Sequence, residues 1–182
     1  MIHRLRIIPG FILPALLITS SGTEAQSPQT VARSFRENNE AVILADFRKF
    51  LSYPNRARDL GDIEAVASYI RDELIQVGVN SELLRIDGVP PIVYGEILVP
   101  GATRTLGIYV HYDGQAVDPD NWTHPPFEPT LYTASMDSGG EPRPFPLKGD
   151  PVDPEWRVYA RSAGDDKAPI AALIPVLESF RE

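Results

Sequence analysis

His111 and Asp113 stand two residues apart at the end of an apolar run, in the stretch LGIYVHYDGQAVDPDNW. On an extended chain, side chains two apart share a face, so the imidazole and the carboxylate can meet. Two chemistries fit that pairing. A metal-bound histidine passes its second ring N–H to a carboxylate, which fixes the tautomer and raises its basicity as a ligand. A structural His–Asp hydrogen bond closing a strand end uses the same residues. Further along, SAGDDK places Asp165 and Asp166 between a strand-like and a helix-like segment. Adjacent carboxylates there can hold a divalent cation, or one can cap the helix while its neighbour stays in water. Lys167 beside them reads as a balancing charge. In NWTHPPFEP, Trp122 and Phe127 flank a rigid proline pair, which suits packing of a loop onto the domain. His124 within that loop reads as a loop histidine rather than a ligand.

The elements that must position these residues follow from periodicity. SFRENNEAVILADFRKFL, from Ser34 to Leu51, puts Val42, Ala45, Phe47, Phe50 and Leu51 near one helical face, and Pro54 ends it. DIEAVASYIRDELIQVG carries the stripe Ile63, Val66, Ala67, Ile70, Leu74 and Val77, with Asp62 as N-cap and Gly78 as the stop. Three strands are expected next: NSELLRI, PIVYGEILV and TLGIYVHY, with PGAT turning between the last two. Residues 113–155 read as one long irregular segment, because twelve of the 18 prolines fall between Pro90 and Pro154. EWRVYAR then reads as a short strand, and DDKAPIAALIPVLESF as a helix with acids at its start and a kink at Pro175. Helices beside strands imply an α/β layered domain.

Charge and composition narrow the partners. The 182 residues hold 17 Lys and Arg against 25 Asp and Glu, a net charge of −8, which argues against a nucleic-acid partner. The first residues have the three-part layout of a secretory signal: basic MIHRLR, apolar IIPGFILPALLI, then small and polar TSSGTEA with cleavage expected after Ala25. The organisation expected is a signal peptide over 1–25, a flexible linker over 26–33 and a catalytic-domain portion over 34–182. The product would be secreted or periplasmic, without a stable membrane anchor and, lacking cysteine, without disulfides.

Taken in order, His-x-Asp, the Trp-x-x-x-Pro-Phe loop and Arg-x-x-x-Asp-Asp-Lys resemble the M20 family of zinc metallohydrolases, which includes dipeptidases, carboxypeptidases and N-acyl-amino-acid deacylases. The likeness runs from about Phe47 onward and is most specific over Leu106–Ile170. It implies an incomplete N-terminal part of a dinuclear-zinc exopeptidase-type catalytic domain, a sheet flanked by helices, cleaving an amide bond in a small peptide or N-acyl amino acid. It makes His111 a ligand to one zinc, Asp113 the partner orienting it, and Asp165 the carboxylate bridging two Zn²⁺ ions, with cobalt or manganese also suited to such donors. It also implies a cis peptide after Asp165. Ala160, Ser162 and Ala168 replace family glycines, and the stretch from Pro129 to Trp156 is longer than the family's connection. The family's general-base Glu-Glu pair lies beyond its Asp-Asp-Lys motif, and only fifteen residues follow Lys167 here, so the base is absent and the chain reads as an inactive fragment. A homodimer is expected only of a complete protein. The alternatives are a non-catalytic binding protein keeping half of the fold, and a metal-free structural arrangement.

Overall fold

A computed structural model describes residues 26–181; the leader expected over 1–25 lies outside the described residues. Helix α1, Pro28–Leu51, opens on Ser27, whose hydroxyl accepts from the Thr30 amide, with Pro28 in its first turn. Residues 28–33, expected as a flexible linker, are therefore helical. The cap satisfies an end that composition alone left unassigned. Ala41, Phe50 and Leu51 are the buried positions of α1, whereas Ala45, expected on the inner face, is exposed.

Helix α2, Leu60–Gln76, is capped by Asp59, which accepts from the Gly61 and Asp62 amides. The expected cap Asp62 instead sits in the first turn and pairs with Arg56 Nε at 2.6 Å. Both acids satisfy the N-terminal dipole, and the one with extended backbone takes the capping role. Ile63, Val66, Ala67 and Ile70 are buried as the stripe predicts. Gly78, at φ +81°, supplies the left-handed stop.

Strands β1 (Asn80–Leu84) and β2 (Ile92–Glu96) form an antiparallel pair against α2. The third strand expected over 105–112 does not form among the described residues, where the segment has no ladder partner. Its apolar pattern describes a strand that needs a partner on at least one edge. The segment expected to be irregular over 113–155 contains two short strands, β3 (Thr130–Tyr132) and β4 (Pro142–Arg143), which join β5 (Arg157–Tyr159) in the order β4-β3-β5. Pro142 occupies an edge strand, where its missing N–H costs little. Helix α3, Lys167–Ser179, packs against α1 and contains Pro175.

The core is Phe50, Val66, Tyr69, Ile70 and Ile170, so one residue from α1, three from α2 and one from α3 meet. Phe50 and Tyr69 stack at 5.2 Å between centroids. Each fully buried apolar side chain of this kind contributes about 1.5–3 kcal/mol. Val110 and Tyr112 pack against this cluster from the unpaired extended segment. The result is a mixed α/β fold, with α2 packed on the β1–β2 pair and a separate three-stranded sheet later in the sequence.

Candidate functional site

Burial of Val110 and Tyr112 orients the segment that carries the histidine. With those two side chains on the core, alternation turns His111 and Asp113 the other way. Tyr112 is anchored further, its hydroxyl donating to the Pro91 carbonyl. Burial, together with the nearby Asp113 and Glu64 carboxylates, pushes the Tyr112 phenol up to about 12, so it stays a donor at neutral pH.

His111 Nδ1 faces both the Asp113 carbonyl oxygen, at 3.1 Å, and Asp113 Oδ1, at 3.2 Å. Its Nε2 lies 3.0 Å from Asp165 Oδ1 and 3.8 Å from Asp166 Oδ2. The fold thus brings His111, Asp113 and Asp165 together from segments more than fifty residues apart. Partial burial pulls the imidazole pKa down, but the Asp113 carbonyl and the Asp166 and Asp113 carboxylates outweigh it, and the net shift is upward. The peptide between Asp165 and Asp166 is cis. The Asp165 side chain is 84% exposed, so its carboxylate is open to a ligand from solvent.

Lys167 does something other than balance those acids. It has no exposed surface, and its Nζ donates to the Phe50 carbonyl at 3.0 Å and the Tyr53 carbonyl at 2.6 Å. It therefore satisfies carbonyls at and just beyond the C-terminus of α1, groups that a helix leaves without partners. Asp166 is the N-cap residue of α3 but makes no side-chain cap hydrogen bond.

His124 is a loop histidine, as its context suggests: Nε2 meets the Tyr132 hydroxyl, and Tyr132 in turn packs edge-on to Tyr159. Trp122 and Phe127 are half-buried in the same loop. Trp156 carries the Arg143 guanidinium 3.4 Å above its ring, which ties β4 to the start of β5. A groove between the helices, lined by Phe35, Asp46, Phe47, Tyr69, Glu73 and Ile174 among others, includes none of the His111 group.

Asn55 and Gly114 were not legible as site residues. Asn55 is fully buried and bonds the Tyr112 carbonyl at 2.8 Å and the Ser162 hydroxyl at 3.1 Å. A polar residue in a turn, YPNRA, carries no sign that it will be enclosed by loops far away in sequence.

A histidine nitrogen and a carboxylate oxygen side by side are the donor chemistry of zinc, cobalt and manganese sites. The donor types fit such an ion, and Asp113 on the far nitrogen matches the orienting carboxylate of metal-bound histidines. The donor number does not complete a site: the described residues contain no group of three or more His, Cys, Asp or Glu that could hold a metal ion.

No protein-family model matches the chain. Its sequence is similar to that of the Cys-Gly metallodipeptidase dug1 of Schizosaccharomyces pombe, 29% identical over 64% of this chain and 22% of that protein. Its structure is similar to that of the di-peptidase Dug1p from Saccharomyces cerevisiae, with a TM-score of 0.62 at 18% identity, covering 85% of this chain and 31% of the other. The likeness to the di-peptidase is one of fold. The chain spans less than a third of the length of either protein.

Proposed function

We propose that this chain carries part of the metal site of an M20-like hydrolase acting on an amide bond in a small peptide, such as a dipeptide, or in an N-acyl amino acid. The observation that carries the reading is His111 Nε2 set 3.0 Å from Asp165 Oδ1 while Asp113 occupies Nδ1. In this reading His111 and Asp165 would hold zinc, and Asp113 would hold the tautomer that leaves Nε2 free to coordinate. Bound zinc would polarise the scissile carbonyl and activate a water. The Asp165 carboxylate is open to solvent, and the partly buried Tyr112 and Val110 hold the histidine from behind. No side chain here is assigned as general base.

Zinc titration of the full chain tests the assignment. His111→Ala and Asp165→Asn are each expected to weaken Zn²⁺ binding at least tenfold, since each removes one of two donors. Unchanged affinity in His111→Ala would sink the metal reading. A non-catalytic binding role is the second reading, favoured by the incomplete donor set among the described residues. Turnover of a dipeptide by the full chain, lost in Asp165→Asn, would eliminate it. Export to the periplasm or beyond is part of the proposal, and N-terminal sequencing of the mature protein should begin at Gln26.

A further inference from the structure

Asn55 lies in the turn between α1 and α2 with no exposed surface. Its Nδ2 donates to the Tyr112 carbonyl at 2.8 Å. The Ser162 hydroxyl donates to its Oδ1 at 3.1 Å, and Nδ2 is as close to the same oxygen. Its main chain is engaged too. The Gly114 amide donates to the Asn55 carbonyl at 2.6 Å, and the Ala57 amide to the Gly114 carbonyl at 2.9 Å. Tyr112 lies in the middle of the His111-to-Asp113 stretch and Gly114 directly follows it, so one residue ties the stretch at its centre and just past its end. Ser162 stands three residues before Asp165, so the same side chain also holds the loop that delivers the carboxylate.

The space around this clamp is tight at Gly114. A Cβ on Gly114 would meet Ser162 Oγ at 2.5 Å and both polar atoms of the Asn55 amide at 2.9 Å. An amide is also the group that supplies a donor for Tyr112 and an acceptor for Ser162 at once. Aspartate would lose the donor, and leucine would leave buried polar groups unpaired. Lys167 reinforces the arrangement from the other side, since its amine ends on Phe50 and Tyr53 just before Asn55. Both halves of the His111–Asp165 pair are thus referenced to one short segment after α1.

We infer that Asn55 is a positioning residue, which sets the spacing of His111 and Asp165 by clamping Tyr112 and Ser162 together. Its consequence for metal affinity rests on the function proposed above; its geometric content does not.

The test uses the full chain labelled with ¹⁵N at histidine, at one alkaline pH, with Asn55→Ala and Ser162→Ala beside the wild type. In Asn55→Ala the His111 ring nitrogens should move toward the signals of a freely tautomerising imidazole, while those of His124, held by Tyr132, stay in place. Ser162→Ala removes one arm of the clamp and should shift His111 in the same direction by less. Zn²⁺ affinity should fall about tenfold in Asn55→Ala, the scale typical of outer partners of a metal ligand. His111 signals identical to wild type, or His111 and His124 signals moving together, overturn the inference, because a merely structural role disturbs those two rings alike. Should Asn55→Ala fail to fold, Ser162→Ala decides by the same criteria. Wild-type His111 signals that ignore added Zn²⁺ would remove the metal reading, with the clamp still judged by the ring signals of the variants.

Discussion

A lysine amine enclosed by the fold beside two carbonyls gains little from its charge. The neutral amine keeps two protons, enough for Phe50 and Tyr53, and burial lowers the Lys167 pKa to about 7, with Asp62 pulling weakly the other way. From about pH 7 up to the ordinary lysine value of 10.5, the unfolded chain holds a proton that the folded chain has released. Stability therefore rises with pH through that window, and below it both states are charged and the full cost of burial is felt. The slope contributed by this one group approaches about 1.4 kcal/mol per pH unit at its steepest. Lys167→Met should flatten the dependence of the urea midpoint on pH between neutrality and the lysine range. Equal slopes in variant and wild type would show that the amine stays charged in the fold. From the sequence, Lys167 looked like a counter-charge to Asp165 and Asp166. Its neighbours along the chain were visible, but the direction of a long flexible side chain was not, and the carbonyls it reaches lie at the end of α1 and just beyond it, more than a hundred residues earlier.

At the scale of elements, the stripe of α2 and the stop at Gly78 were legible because periodicity and a left-handed glycine are local properties. Gly78→Ala should cost about 1 kcal/mol in thermal unfolding, since φ is +81° there. Gly114→Ala is a different kind of change. Its new methyl would enter the Asn55–Ser162 contact, so it should destabilise by about 1–3 kcal/mol and weaken Zn²⁺ binding together. An alanine variant with wild-type stability and affinity would mean that the loop yields without consequence. The expected strand over 105–112 shows the limit of local reading. Its alternation is real, because Val110 and Tyr112 do face the core while His111 faces Asp165 and meets Asp113. A strand also needs hydrogen-bonding neighbours, which alternation cannot supply.

Across the whole molecule, the unpaired segment has a consequence for behaviour in solution. Leu106 and Tyr109 are 84% and 91% exposed on a segment without a ladder partner, and Leu98 before it is 80% exposed. Such an edge invites pairing with another chain. The full chain should self-associate with rising concentration, and Leu106→Lys with Tyr109→Lys should shift light scattering toward monomer without changing the helical circular dichroism. A wild-type chain that stays monomeric at high concentration would refute this. The net charge of −8 opposes association only weakly at physiological ionic strength, where exposed charges are screened within about 8 Å.

By itself the sequence determined the helices, the αL stop, the acidic character and the order His-x-Asp, aromatic loop, Asp-Asp-Lys, because periodicity, backbone preference and spacing are written along the chain. Only the tertiary structure decided that His111 meets Asp165, that Asn55 clamps the segments carrying both, that Asp59 rather than Asp62 caps α2, and that Lys167 is buried away from the acids. Those outcomes depend on which distant segments share a space once Phe50, Tyr69, Ile70 and Ile170 have packed, and on which buried polar groups must then find one another.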